Sequence, residues 1–186
     1  LTYGGIFFKN DLKLSVQLEI IKAILHYLNK QGIEKLIYKA FPRFYNELQT
    51  DEVEYALFLL NAKLTRRDVA LAIDYSNRIK YSSNYKREAN KAKKEGVEIV
   101  ESNDFESFWN EVLVPNLFSR FKVKPVHSVE EIKQLKSKFP NQIRLFKALY
   151  NDITIAGTVI FDTYNVAHAQ YISAVDIARQ NGSLYL

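Results

Sequence analysis

Three apolar runs, 143–149, 153–161 and 166–174, follow one another with almost nothing between them. The joints are Asn151-Asp152 and Tyr164-Asn165, both turn-forming pairs. Parallel neighbours need a long crossover, so joints this short make the three runs an antiparallel meander. A polar loop over 176–181 follows, then Gly182-Ser183 and a fresh apolar stretch. A meander that feeds a Gly-containing loop and a helix start is suited to an anionic ligand.

Upstream, helical and strand periods alternate. Residues 1–8 read as a strand carrying a Gly pair. Ser15 opens a helix to about Lys30, with Val16, Ile20, Ile21, Ile24, Leu25 and Leu28 at helical spacing and Gly32 beyond its end. Strands are expected over 33–40 and 63–74. A helix over 52–62 lies between them, opened by Thr50-Asp51 with Glu54 in a capping-box-like spacing. A polar stretch, 75–83, marks the boundary between a first lobe, 1–80, and a second, 81–186. The second opens with a basic helix over 85–95 holding Lys86, Arg87, Lys91, Lys93 and Lys94, and Gly96 ends it. A short strand over 97–100 leads to a helix from Asn103 to about Arg120, which Pro115 kinks or splits. Trp109 in that helix reads as core. Ser128 with Glu131 forms a capping box for a helix over 129–138. Helices and strands joined this closely give an α/β or layered α+β fold.

Composition narrows the chemistry. The 186 residues are 47% hydrophobic and 25% charged, with 12 Tyr, 12 Phe and a net charge of +5, as in a globular protein that suits an anionic ligand. With no cysteine, disulfides, thiolate metal sites and cysteine nucleophiles are excluded. There is no methionine either, so the first residues are expected to be absent. The apolar runs are short and broken by charges, and the expectation is a cytoplasmic protein with no integral membrane contact. Phosphate-loop, dinucleotide, HExxH and G-x-S-x-G signatures are lacking. His26, His127 and His168 are scattered, which gives no basis for a metal cluster. His127 is either an acid or base near neutral pH or part of a helix-entry loop. Strand alternation puts Val166, His168 and Gln170 on one face of the last run, and Ala167, Ala169 and Tyr171 on the other. A buried strand presenting His and Gln must satisfy them, either through a ligand or through a hydrogen-bond network.

The segments REANKAKKEGVEIV (87–100), FWNEVL (108–113), PVHSVEEI (125–132), FPNQI (139–143), AGTVIF (156–161) and VAHAQYISA (166–174) carry a family resemblance. This part of the chain resembles the N-terminal half of a GNAT-type acyltransferase domain, and within that superfamily the FemAB-like proteins, built from two tandem GNAT domains. The resemblance implies a mixed, largely antiparallel sheet flanked by helices, in tandem lobes of which the second is incomplete, so that the chain is expected to be a fragment. It implies a donor, acyl-CoA (acetyl-CoA) or aminoacyl-tRNA, bound at Arg179, Gly182 and Ser183. The second small residue of the usual Q/R-x-x-G-x-G/A loop is absent here. His168, Gln170, Tyr171 and Ser173 are the expected catalytic residues, with no metal. The acceptor would be an amine, on a small molecule or a peptidoglycan precursor. The alternative is a non-catalytic GNAT-like module that docks tRNA or another polyanion through the helix over 85–95.

Overall fold

In a computed structural model, which describes residues 4–48 and 50–186, the chain divides into two compact units, Leu1–Ile73 and Asp74–Leu186. The fold is mixed: helices, and one four-stranded antiparallel sheet that lies wholly in the second unit. Among the described residues, no helix is long and apolar enough to cross a membrane.

Among its described residues the first unit holds two α-helices, α1 (Leu14–Lys30) and α2 (Glu52–Leu59), and a short 3-10 turn over Arg43–Tyr45. α1 ends where Gly32 takes a positive φ of 76°, a conformation that glycine adopts without steric cost. α2 starts at Asp51 as expected, but without the capping bond, because the Asp51 carboxylate pairs with Arg43 at 2.6 Å instead. The strands expected over 33–40 and 63–74 do not form, and residues 4–8 are irregular; residues 1–3 lie outside the described set. Alternation satisfies only half of what a strand requires. The other half is a partner backbone to take its N–H and C=O groups. With none, Val69, Leu71 and Ile73 stand 87%, 92% and 69% exposed.

The second unit begins with α3 (Ser83–Lys94), whose first turn is closed by the Ser82 hydroxyl accepting from Tyr85 N–H at 3.1 Å. Strand β1 (Glu98–Ser102) follows. A single helical run then passes through α4 (Phe105–Ser107), a π-helical turn over Phe108–Leu113 and α5 (Val114–Phe121). Its cap is Asp104, not Asn103: the Asp104 carboxylate accepts from Ser107 N–H at 3.1 Å. The wide turn ends at Leu113, and Pro115, in the first turn of α5, has no N–H to donate to the carbonyl of residue 111, so the chain changes helical pitch there without breaking. α6 (Val129–Lys138) carries the expected capping box, with Ser128 and Glu131 exchanging bonds of 3.2 and 2.8 Å.

The meander is β2 (Ile143–Tyr150), β3 (Ile153–Asp162) and β4 (Ala167–Ala174), in sheet order β1-β2-β3-β4. Asn151 and Asp152 both have positive φ, 49° and 62°, as a two-residue hairpin turn matched to strand twist requires. One sheet face packs Ile143, Leu145, Val159 and Tyr171 against Phe105, Phe108, Trp109 and Ile132. The other face presents Ala148, Ala156 and Ala174 to Ala92 of α3 and to Ala178 of a short helix, α7 (Asp176–Gln180). Side chains this small let both helices approach the sheet closely. Complete burial of Phe108 and Leu145 contributes roughly 2–3 kcal/mol each.

Candidate functional site

Strict alternation along β4 fails at one residue. Val159 of β3 faces Tyr171, but its neighbour Ile160 faces Ala169, so Gln170 is the extra residue of a β-bulge. A bulge re-aims side chains that a regular pleat would hold on opposite faces. Gln170 thereby reaches both ways. Its Oε1 lies 3.2 Å from His168 Nε2, and its side chain also hydrogen-bonds the Tyr171 hydroxyl.

Tyr171 carries the chain of contacts into α6's entry loop. Its Oη accepts from the His127 backbone N–H at 3.2 Å and stands 2.6 Å from His127 Nδ1. An oxygen already accepting the backbone N–H can donate its own proton to Nδ1, which places the imidazole proton on Nε2. The His127 carbonyl accepts from Trp109 Nε1 at 3.0 Å, and the Trp109 ring meets Tyr171 edge-on at 5.0 Å. His127 is thus held through its N–H, its carbonyl and its ring, one residue before the Ser128 cap. Burial pushes the Tyr171 phenol above its ordinary value, and hydrogen bonds from His127 N–H and Gln170 oppose that rise.

Ser173 is placed elsewhere on the same strand, about 16 Å from His168 along the backbone. It is buried. Its hydroxyl accepts from Asn116 Nδ2 at 2.9 Å and donates to the Val112 carbonyl at 3.3 Å. Val112 belongs to the π-helical turn, so Ser173 ties that turn to the sheet.

The loop after β4 packs against α3. Gly182 has φ 81° and lies against the Glu88 carbonyl, where a Cβ would collide with the oxygen. Lys91 Nζ donates to the Gln180 carbonyl at 2.8 Å. The N–H of Ser183 donates to Asn181 Oδ1 at 3.1 Å, and its hydroxyl donates to the same oxygen, so both Ser183 donors are engaged within the loop. The Arg179 guanidinium donates to the Ala174 carbonyl at 3.3 Å and lies 3.7 Å from Asp176. What the loop does offer is Asn181 Nδ2, a buried donor with no partner among the described residues.

No protein-family model and no curated protein matches this chain.

The structure therefore joins His168, Gln170 and Tyr171 into one network, keeps Ser173 in a separate buried link, and sets Arg179, Gly182 and Ser183 at the end of the sheet beside α3. Asn116 was not singled out by sequence, and Asn181 only as one residue of the loop, because an asparagine's distant or absent partner leaves no local signal. A further polar cluster ties Lys147 to Asp104 at 2.9 Å and to Ser107 at 3.0 Å. It anchors the start of α4 to β2, and Asp104 is held down at about 2, first by hydrogen bonding from Ser107 and then by Lys147. Among the described residues, no group of three or more acidic or His side chains could hold a metal ion.

Proposed function

We propose that this protein is an acyl- or aminoacyl-transferase of GNAT, FemAB-like type, moving an acyl group from acyl-CoA or aminoacyl-tRNA to an amine. The observation that carries the reading is the Gln170 bulge, which brings His168, Gln170, Tyr171 and His127 into one hydrogen-bonded chain. The succession of β1, two helical segments, three antiparallel strands and α7 also supports it. The first unit, whose described residues form helices and no strand, gives the tandem-lobe reading no support.

In such a transfer the amine nitrogen bonds to the carbonyl carbon, and the carbon–sulfur or carbon–oxygen bond to the donor breaks. The amine must lose a proton as it attacks. Tyr171 can take that proton while its own moves to His127 Nδ1, 2.6 Å away. The unpartnered Asn181 amide, in the loop after β4, is a donor available to bind an anion.

The test is a transfer assay with acetyl-CoA and with aminoacyl-tRNA against a panel of amines. The double variant His168→Ala/Gln170→Ala is expected to abolish transfer while keeping the melting temperature near that of the parent chain. Activity that survives it sinks the assigned roles. Thermal shift separates the donors, since a ligand that binds only the native state raises its melting temperature.

A second reading rests on α3, whose Lys86, Arg87, Lys91, Lys93 and Lys94 are all exposed: the unit docks tRNA or another polyanion without catalysis. Stabilisation by tRNA that salt removes, with no transfer to any amine, selects it.

A further inference from the structure

The segment leading into α3 holds a ladder of aromatic rings and a guanidinium at the surface. The Arg78 guanidinium lies 4.8 Å above the Tyr75 ring and 5.5 Å above the Tyr81 ring, and its Nη2 donates to Tyr81 Oη at 2.7 Å. Tyr81 then stacks on Tyr85, with ring centres 4.3 Å apart and planes within 10°. Tyr185 meets Tyr85 edge-on at 5.4 Å and closes the ladder. Burial does not explain this order, because Tyr75 is 75% and Tyr81 48% exposed. Rings pre-stacked in water present flat π surfaces at little further entropic cost.

The ladder runs directly into the basic helix. Arg87, Lys91 and Lys94 recur at helical spacing and share one face, along an open groove of about 810 Å³ that Lys86 also lines. Glu88 and Glu95 are the acidic groups in that groove, so cations outnumber anions there by four to two. Charge alone suits any polyanion, including a sulfated polysaccharide or an anionic membrane. Those offer no flat π surface for the tyrosines. A duplex keeps its bases inside. An unpaired strand offers stackable bases and phosphates together.

We propose that the surface over 75–94 binds single-stranded nucleic acid, with unpaired bases extending the Tyr75–Arg78–Tyr81–Tyr85 ladder from the open face of Tyr75 and the phosphates following Arg87, Lys91 and Lys94. This rests on the polyanion-docking reading and adds the class of strand. Gln180, whose carbonyl accepts from Lys91, links this surface to the loop after β4.

The test is fluorescence anisotropy on the full chain with a labelled single strand of about 15 nucleotides. A hairpin duplex of equal length, heparin and anionic vesicles serve as competitors, at about 50 and 200 mM salt. The single strand is expected to bind and to outcompete the other three. Tyr75→Ala/Tyr81→Ala is expected to weaken binding by about tenfold or more, the range for one or two lost stacking contacts. Tyr81→Phe, which keeps the ring, is expected to bind like the parent. Arg87→Ala/Lys94→Ala is expected to lower the log–log salt slope by about 1.4. Circular dichroism establishes that each variant is folded. If the duplex or heparin competes as well as the single strand, or the double tyrosine variant binds unchanged, the stacking proposal fails while docking stands. If nothing binds at the lower salt, both fail.

Discussion

Tyr171 and His127, 44 positions apart in sequence, are joined twice: the phenol oxygen accepts the His127 backbone N–H at 3.2 Å and stands 2.6 Å from the ring Nδ1. Tyr171→Phe keeps the packing against Trp109 and leaves that N–H without its acceptor. The expected loss is about 1–3 kcal/mol of stability, read from urea unfolding.

The same phenol makes a prediction in alkali. Its folded value is raised above 10.0 by burial, so the native state holds the proton longer than the unfolded chain. The stability this contributes is complete below about pH 10 and is lost as pH rises through the folded value. Denaturation midpoints of the parent chain should therefore fall more steeply above pH 10 than those of Tyr171→Phe. Parallel slopes would show that the phenol titrates alike in both states.

In acid, Asp104 is the group to follow. Its folded value of about 2 lies below the ordinary 3.8, so its contribution is present above 3.8 and is lost as pH falls through about 2. The carboxylate is 52% exposed, and solvent screening limits the contribution to about 1 kcal/mol. The stability gap between the parent and Asp104→Asn should close over that window in urea titrations at stepped pH.

Gly182→Ala and Gly96→Ala separate two costs. Both glycines have positive φ, 81° and 84°. A Cβ at Gly96 meets open space, whereas at Gly182 it meets the Glu88 backbone. Gly96→Ala should cost about 1 kcal/mol and Gly182→Ala about 2–4 kcal/mol. Thermal melts in which the two variants behave alike would remove the close approach of loop and α3.

Ser173→Ala takes a partner from both the Asn116 amide and the Val112 carbonyl. About 1–3 kcal/mol is the expected loss. Ser119→Ala, at an exposed position on the same helical run, should stay within about 0.5 kcal/mol. Equal melting temperatures would mean that the buried hydroxyl carries no net stability.

What could be read from the sequence was what depends on near neighbours. Asn151-Asp152 fixed an antiparallel hairpin, and Ser128 with Glu131 marked the first turn of α6 to the residue, because both rest on contacts within four positions. The same rule misassigned a cap by one place, since Asn103 and Asp104 are both capping residues and only the backbone geometry chooses between them. The strands expected over 33–40 and 63–74 failed for the converse reason: a strand exists only with a partner, and alternation carries no information about one. At the candidate site, His168, Gln170 and Tyr171 were legible as polar residues on an apolar strand. Their connection was not, because the bulge at Gln170 is a property of β3 and β4 together.

Three places in the second unit hold one residue more than a regular repeat needs: β3 at Ile155, β4 at Gln170, and the helical run that widens over Phe108–Leu113; the last two are linked. Ser173, three residues past Gln170, bonds a carbonyl inside the widened run. Removing Gln170 would restore the pleat of β4 and keep Tyr171 opposite Val159 and Ser173 opposite Gly157, but would take away the side chain that joins His168 to Tyr171. Tightening the helix would carry the Val112 carbonyl out of reach. The two linked irregularities therefore serve different ends: the bulge sets the polar chain at Gln170, and the widened turn sets the carbonyl that holds Ser173.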